Sequence, residues 1–219
     1  MTLSGFEAAR ANMVDGQVRT ADVTEPALIA AMRAIPRERF VPAGLESLAY
    51  MGDALEVAPC RFLLDPRVFA KLAQLADLGP ADTVLVVGGA TGYSAAVLAR
   101  LAASVVLLES DAGLTARAGE ALAALGIANV SVATGPLAAG HPAGAPYDAI
   151  FLEGAVPARP DALVAQLKPA GRLVGIVTDS GLGKAHIFQK ASAGMSSRIA
   201  FDASAAPLPG FAAAPSFVF

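Results

Sequence analysis

The chain is short of the side chains that most often carry metal or nucleophilic chemistry: 219 residues hold one cysteine, Cys60, two histidines, His141 and His186, and no tryptophan. A lone cysteine excludes an internal disulfide and any thiolate cluster for zinc or iron–sulfur. The two histidines stand far apart in sequence, so neither a metal site nor a His-based relay is expected. Charge is scarce too. Sixteen Lys and Arg face nineteen Asp and Glu, a net charge of −3 with an isoelectric point near 5.4, so no basic field exists to gather phosphates and nucleic acid is not an expected partner. Long apolar runs are missing as well. Although 55% of residues are hydrophobic and the mean hydropathy is +0.55, Arg100, Glu109 and their like interrupt every greasy stretch before it could span a bilayer, and no membrane partner is expected. The first ten residues include Glu7 and show no apolar stretch behind a basic one, which argues against a signal peptide and makes the cytoplasm the expected location.

What is present is room for one domain with a core and a cleft. Residues 1–80 read as a helical cap packed on an α/β body over 81–219. Thr24 reads as a helix N-cap with Pro26 in the first turn, and that helix ends before Pro36 because a residue preceding proline is pushed out of helical geometry. The 36–42 stretch, PRERFVP, is a stiff connector. Asp65-Pro66 opens a second helix, with Val68, Phe69, Leu72 and Leu75 at helical spacing and Gly79-Pro80 ending it. From Thr83 the period changes. Residues 84–87 form a β-branched apolar run suited to a parallel strand covered on both faces, and strand and helix then alternate: 93–101 helix, 104–108 strand, 114–125 helix, then strands at 130–134, 149–152 and 172–177 with a helix at 162–167. Such alternation predicts a doubly wound α/β sheet. Residues 185–190 and 198–203 alternate apolar with polar and, with a terminal apolar piece at 216–219, predict antiparallel strands at one sheet edge.

In such a sheet a ligand sits beyond the carboxyl ends of the strands where strand order reverses. Here that position falls on Gly88-Gly89-Ala90-Thr91-Gly92-Tyr93, where glycines permit a tight turn and the next helix offers free N–H groups. Glu109, about twenty residues further on at the end of the next strand, is placed to accept both hydroxyls of a ribose. An empty packing turn is the alternative, with Glu109 a helix-terminal charge beside Ser110-Asp111. A nicotinamide dinucleotide is a further alternative, but no Tyr-x-x-x-Lys pair follows the turn. Glu153 stands at the end of another strand, near the ligand or at an exposed strand end. Tyr93 either faces the ligand or anchors the core.

The residues converge on a family. Pro36-Arg37-Glu38-Arg39-Phe40-Val41-Pro42, Ala49-Tyr50-Met51-Gly52-Asp53-Ala54-Leu55, the glycine turn running on through Tyr93-Ser94-Ala95-Ala96-Val97-Leu98-Ala99, Asn129-Val130, Ala145-Pro146-Tyr147-Asp148-Ala149-Ile150 and Gln166-Leu167-Lys168-Pro169-Ala170-Gly171-Arg172-Leu173-Val174 occur in order. Over residues 13–177 the chain resembles the protein-L-isoaspartate O-methyltransferases, enzymes that use S-adenosylmethionine (SAM) to methylate the isoaspartyl carboxyl of aged proteins. The resemblance implies a Rossmann-like methyltransferase sheet with SAM held by Gly88, Gly89, Ala90, Gly92, Tyr93, Glu109, Ser110, Gly135 and Glu153. It implies no particular catalytic side chain, because the acceptor carboxylate is already ionised and orientation does the work.

Four positions depart from the family pattern. Val86 replaces the acidic residue usual in the first strand, Ala90 the second glycine, and Gly135-Pro136-Leu137 the usual Gly-Asp-Gly, whose Asp contacts adenine. Losing two buried carboxyl contacts costs roughly 1–3 kcal/mol each. Phe62-Leu63-Leu64-Asp65-Pro66 stands where the family has Thr-Ile-Ser-Gln-Pro, whose hydroxyls hold the isoaspartyl group; apolar side chains cannot bind a carboxylate and Asp65 would repel one. Two readings follow from the resemblance: a SAM-dependent methyltransferase with an altered protein or small-molecule acceptor, or a catalytically degenerate relative acting as a binding or regulatory module. Arg61 beside the altered segment is either a surface ion pair or a partner for an anionic substrate. Cys60 reads as a small buried hydrophobe, His141 as a loop residue, and Tyr50 and Asp53 as structural.

Overall fold

The computed structural model describes residues 3–179, 181–191 and 194–211. The apolar 216–219 piece lies outside the described residues. Two helices open the chain, α1 (Leu3–Met13) and α2 (Pro26–Ala34), followed by a small antiparallel hairpin of β1 (Leu55–Ala58) and β2 (Arg61–Leu63) and by α3 (Pro66–Ala76). The hairpin corrects the all-helical reading of the first eighty residues; two strands of four and three residues are too short to leave a periodic signature. Glu25, not Thr24, caps α2, its carboxylate accepting from Ala27 N–H. At α3 the cap is Asp65, and Ala76 is followed by Asp77 in the left-handed region, ahead of Gly79-Pro80.

The body is a seven-stranded sheet. Its strands are β3 (Thr83–Val87), β4 (Ser104–Glu109), β5 (Val130–Thr134), β6 (Tyr147–Val156), β7 (Leu167–Asp179), β8 (Leu182–Ala191) and β9 (Gly194–Asp202), with α4 (Tyr93–Leu98), α5 (Ala112–Ala124) and α6 (Asp161–Val164) in the crossovers. Spatial order is β5-β4-β3-β6-β7-β8-β9. The first five pair in parallel and the last two are antiparallel, so a doubly wound sheet with an antiparallel edge is observed as expected. Among the described residues no helix is long and apolar enough to cross a membrane.

The central strands show why their sequences carry no polar alternation. Val84 and Val86 of β3 and Val105 and Leu107 of β4 join one core with Phe69, Tyr93 and Leu28. Leu85, Val87, Val106 and Leu108, pointing the other way, join a second core with Tyr147, Leu163 and Leu208. A strand with hydrophobic layers on both faces has no solvent side to encode. Several residues of the family-like segments tie the frame. Asp148 accepts from Thr83 N–H at 2.8 Å and Lys168 Nζ at 2.7 Å, Arg172 Nη2 reaches Asp82 at 2.7 Å, and Asn129 Nδ2 donates to Ala99 O at 2.8 Å. The Asp148 and Arg172 bonds fix the chain entering β3, and the Asn129 bond ties the end of α4 to the start of β5.

Candidate cofactor site

β3 is the strand at which the order reverses, with β4 on one side and β6 on the other. The loop after it, 88–92, therefore opens at the place where such sheets bind ligands. Gly88 (φ +75°), Ala90 (φ +47°) and Gly92 (φ +96°) all occupy the left-handed region, which favours glycine and strains an alanine. Ala90 thus does more than add a methyl group near the loop: it holds a backbone shape made for glycine.

Glu109, the last residue of β4, is completely buried. It is not a helix-terminal charge, since Asp111 is the cap of α5, accepting from Gly113 and Leu114 N–H. One Glu109 oxygen, Oε1, accepts from Ser110 N–H at 2.7 Å and Ser110 Oγ at 3.1 Å. The other accepts from Ala90 N–H at 3.0 Å and from Arg61 Nη2 at 2.5 Å. The same Arg61 nitrogen donates to Gly88 O at 2.6 Å. This corrects the surface-pair reading of Arg61, whose side chain is only 8% exposed. Cys60, by contrast, is exposed, in the left-handed turn between β1 and β2. A reverse turn this tight leaves its side chain no core to enter.

The other expected contact residues divide into two groups. Gly88, Ala90, Glu109, Ser110 and Gly135 stand together, Gly135 through its N–H bonded to Glu109 O at 3.0 Å. Gly89 and Gly92 face inward: a Cβ on Gly89 would collide with Leu107 Cδ1 and lie 2.9 Å from Val86 Cγ1, and one on Gly92 would lie 3.2 Å from Ala118 Cβ. Tyr93 is a core aromatic, its ring centre 5.7 Å from those of Phe40 and Phe69.

Glu153 is buried at the irregular end of β6. Burial pushes its carboxyl up, against an opposing pull from Ser94 and then Arg37. Neither Glu153 oxygen has a partner within hydrogen-bonding geometry, nor do the buried Arg37 Nη1, Tyr93 hydroxyl and Ser94 Oγ. Arg37 is almost wholly buried, with nothing in its local sequence to announce it. Ser94 and the Leu64 amide both act on Glu153, and Arg37 acts on Tyr93, so these buried polar groups face one another on the side of the site toward Leu64.

The altered segment reads differently in three dimensions. Leu63 and Leu64 are buried core residues, and Asp65 spends its carboxylate on the α3 cap, accepting from Arg67 N–H at 2.7 Å, and on an ion pair with Arg67 Nη2 at 2.5 Å. Its charge is therefore neutralised in place, which corrects the expectation that it repels an anionic acceptor. A carboxylate at the end of β4 beside a left-handed turn is the arrangement an adenosyl ribose requires, and in kind it fits SAM; the partner Glu109 holds here is Arg61.

Fold and site together define a doubly wound nucleoside-binding protein of the methyltransferase type. Residues 9–204 match the family model for protein-L-isoaspartate(D-aspartate) O-methyltransferase, and the chain belongs to that family. It is 40% identical over 171 residues to protein-L-isoaspartate O-methyltransferase 1 of Rhodopseudomonas palustris (strain HaA2), covering 78% of this chain and 70% of that protein. It is 39% identical over 188 residues to the protein-L-isoaspartate O-methyltransferase of Koribacter versatilis (strain Ellin345), covering 86% and 85%. Among solved structures, one described as a protein-L-isoaspartate O-methyltransferase superposes with a TM-score of 0.81 at 26% identity, over 92% of this chain and 66% of that one. A Plasmodium falciparum structure in complex with S-adenosyl-L-homocysteine shares the fold, with a TM-score of 0.79 at 16% identity over 91% and 97%.

Proposed function

We propose that the chain is a SAM-dependent methyltransferase that acts on a carboxyl group of a protein acceptor. One observation carries this reading: the buried Glu109 carboxylate beside a left-handed turn at the strand-order switch, in a chain whose family relatives bear that activity in their names. Glu109 and Ser110 would hold the ribose, and the backbone of 88–92 and Gly135 the remainder of the nucleoside side. The bound group supplies an electrophilic methyl on a sulfonium. The chain's own task is to orient the acceptor and exclude water, because an ionised carboxylate needs no proton removed.

On the acceptor side no hydroxyl is offered by Phe62, Leu63 and Leu64. The buried polar groups on that side are Arg37 Nη1, Ser94 Oγ, the Tyr93 hydroxyl and the Glu153 carboxyl, whose burial favours the neutral acid; of these the guanidinium is the one that pairs with an acceptor carboxylate. This supports an acceptor carboxyl gripped differently from the one the family pattern implies. Incubation with methyl-labelled SAM and matched isoaspartyl and aspartyl peptides tests the reading. Base-labile label on a protein or peptide acceptor is expected; a folded protein that binds SAM yet labels no peptide and no heat-aged protein would refute the carboxyl assignment.

A further inference from the structure

Two side chains remote in sequence fill the space a nucleoside would enter. Arg61 Nη2 bridges Gly88 O and Glu109 Oε2, an acceptor at the end of β3 and one at the end of β4. Leu208 lies above them: a Cβ on Gly88 would stand 2.6 Å from Leu208 Cδ2 and 3.0 Å from Arg61 Nη2, and a Cβ on Gly154 2.8 Å from Leu208 Cδ2. The two glycines therefore leave room that a side chain of the same molecule takes up. Leu208 is buried and pinned by Leu208 N–H to Ala155 O at 2.8 Å and Ala155 N–H to Ala206 O at 2.9 Å.

Both occupants sit on short elements at the margin of the sheet. Arg61 opens a three-residue strand directly after the left-handed Cys60. Among the described residues the segment around Leu208 meets the sheet at one isolated bridge, Ala155 with Pro207, and through the backbone bonds of Ala155 on either side of it. Cys60, the residue before Arg61, borders one apolar cleft of about 430 Å³ together with Leu208 and Phe211, so the two elements adjoin the same hollow. Ribose hydroxyls offer Glu109 neutral donors, whereas the guanidinium offers a charge-assisted bond, so the resident side chain competes well for that carboxylate.

We propose that Arg61 is an internal occupant of the nucleoside site and Leu208 its cover, so that an adenosyl ligand enters only when both withdraw. The proposal rests on the methyltransferase reading above. A closed state outnumbering the open one by about a hundredfold weakens apparent affinity by about the same factor, and removing one occupant recovers the part of that factor it imposes.

Calorimetric titration of S-adenosylhomocysteine into the full-length protein, Arg61→Ala and Leu208→Ala tests this, with thermal melts to establish folding. Each variant is expected to bind at least about tenfold more tightly than the parent. Hydrogen exchange on the unmodified protein gives a further readout that needs no variant: the ligand is expected to slow exchange across 88–92 while speeding it at the Leu208 amide. Affinities within twofold for all three proteins, or a Leu208 amide protected by ligand, would overturn the latch and leave the methyltransferase reading standing. If Arg61→Ala does not fold, Leu208→Ala and the exchange experiment decide. Folded proteins that all fail to take up the ligand at millimolar concentration would overturn the methyltransferase reading, and the latch with it.

Discussion

The Arg37 guanidinium lies 4.6 Å from the ring centre of Tyr93 while its Nε donates to Ala49 O at 2.7 Å and its Nη2 to Leu64 O at 2.8 Å. One buried side chain thereby joins the 36–42 connector, the 46–49 turn and the end of β2 to the first residue of α4. Lysine cannot reproduce two divergent bonds and a stacked plane. Arg37→Lys is expected to cost about 2–4 kcal/mol, the loss of buried hydrogen bonds to a charged group, seen as a lowered urea midpoint at unchanged slope.

Asp65 serves as a cap and ion-pair partner of Arg67, not as a filter on the acceptor. Asp65→Asn keeps a good N-cap and removes the charge, so stability should move by less than about 0.5 kcal/mol and methylation of an isoaspartyl peptide should stay within a few-fold. Asp65→Ala should cost about 1 kcal/mol, the usual loss of a cap. The half-exposed Arg67 adds little to that sum. A tenfold rise in labelling by Asp65→Asn would show that the charge does repel the acceptor.

Glu153 gives a pH signature. Its folded pKa is raised by burial, so above the unfolded value the unfolded chain releases a proton that the folded chain retains. Fewer protons are then bound unfolded than folded, and stability falls as pH rises from about 4.3 toward the folded pKa. Glu153→Gln removes that loss. Melting curves should show the variant more stable than the parent at pH 8, the difference closing as the pH approaches 4; a difference independent of pH would refute the assignment.

Gly89 and Gly119 should respond oppositely to the same change. A methyl at Gly89 collides with Leu107 and crowds Val86, whereas one at Gly119, within α5, meets nothing within 4 Å. Gly89→Ala is expected to destabilise by about 1–3 kcal/mol, as overpacked cores do. Gly119→Ala should stabilise by about 0.4–1 kcal/mol through the unfolded chain's lost freedom. Chemical denaturation of both variants checks the contrast.

Much of the molecule is legible from the chain alone. The apolar run at 84–87, the glycine turn and Glu109 announce the parallel sheet and its ligand-side loop, because strand burial, left-handed turns and helix caps are written within a few residues of one another. The same locality misleads at Asp65 and Glu109. At Asp65 the partner is itself local, Arg67 two residues on, and the charge pattern hides the pair because it closes only when the first turn of α3 forms. Beside Ser110-Asp111, Glu109 has the surroundings of an exposed residue, yet β3 and β5 flank its strand and bury it. The β1–β2 hairpin carries no sequence signal because its strands are shorter than any periodicity that could reveal them.

By itself the sequence determined the layered sheet, its approximate strand positions and the family, since each rests on short-range pattern or on collinear motifs. Only the tertiary structure decided what Glu109 holds. Arg61 lies 48 positions from it and Leu208 reaches Gly88 from the far end of the chain. Contacts across such separations leave no local trace, because the packing of distant elements and not neighbouring composition brings a guanidinium to a carboxylate.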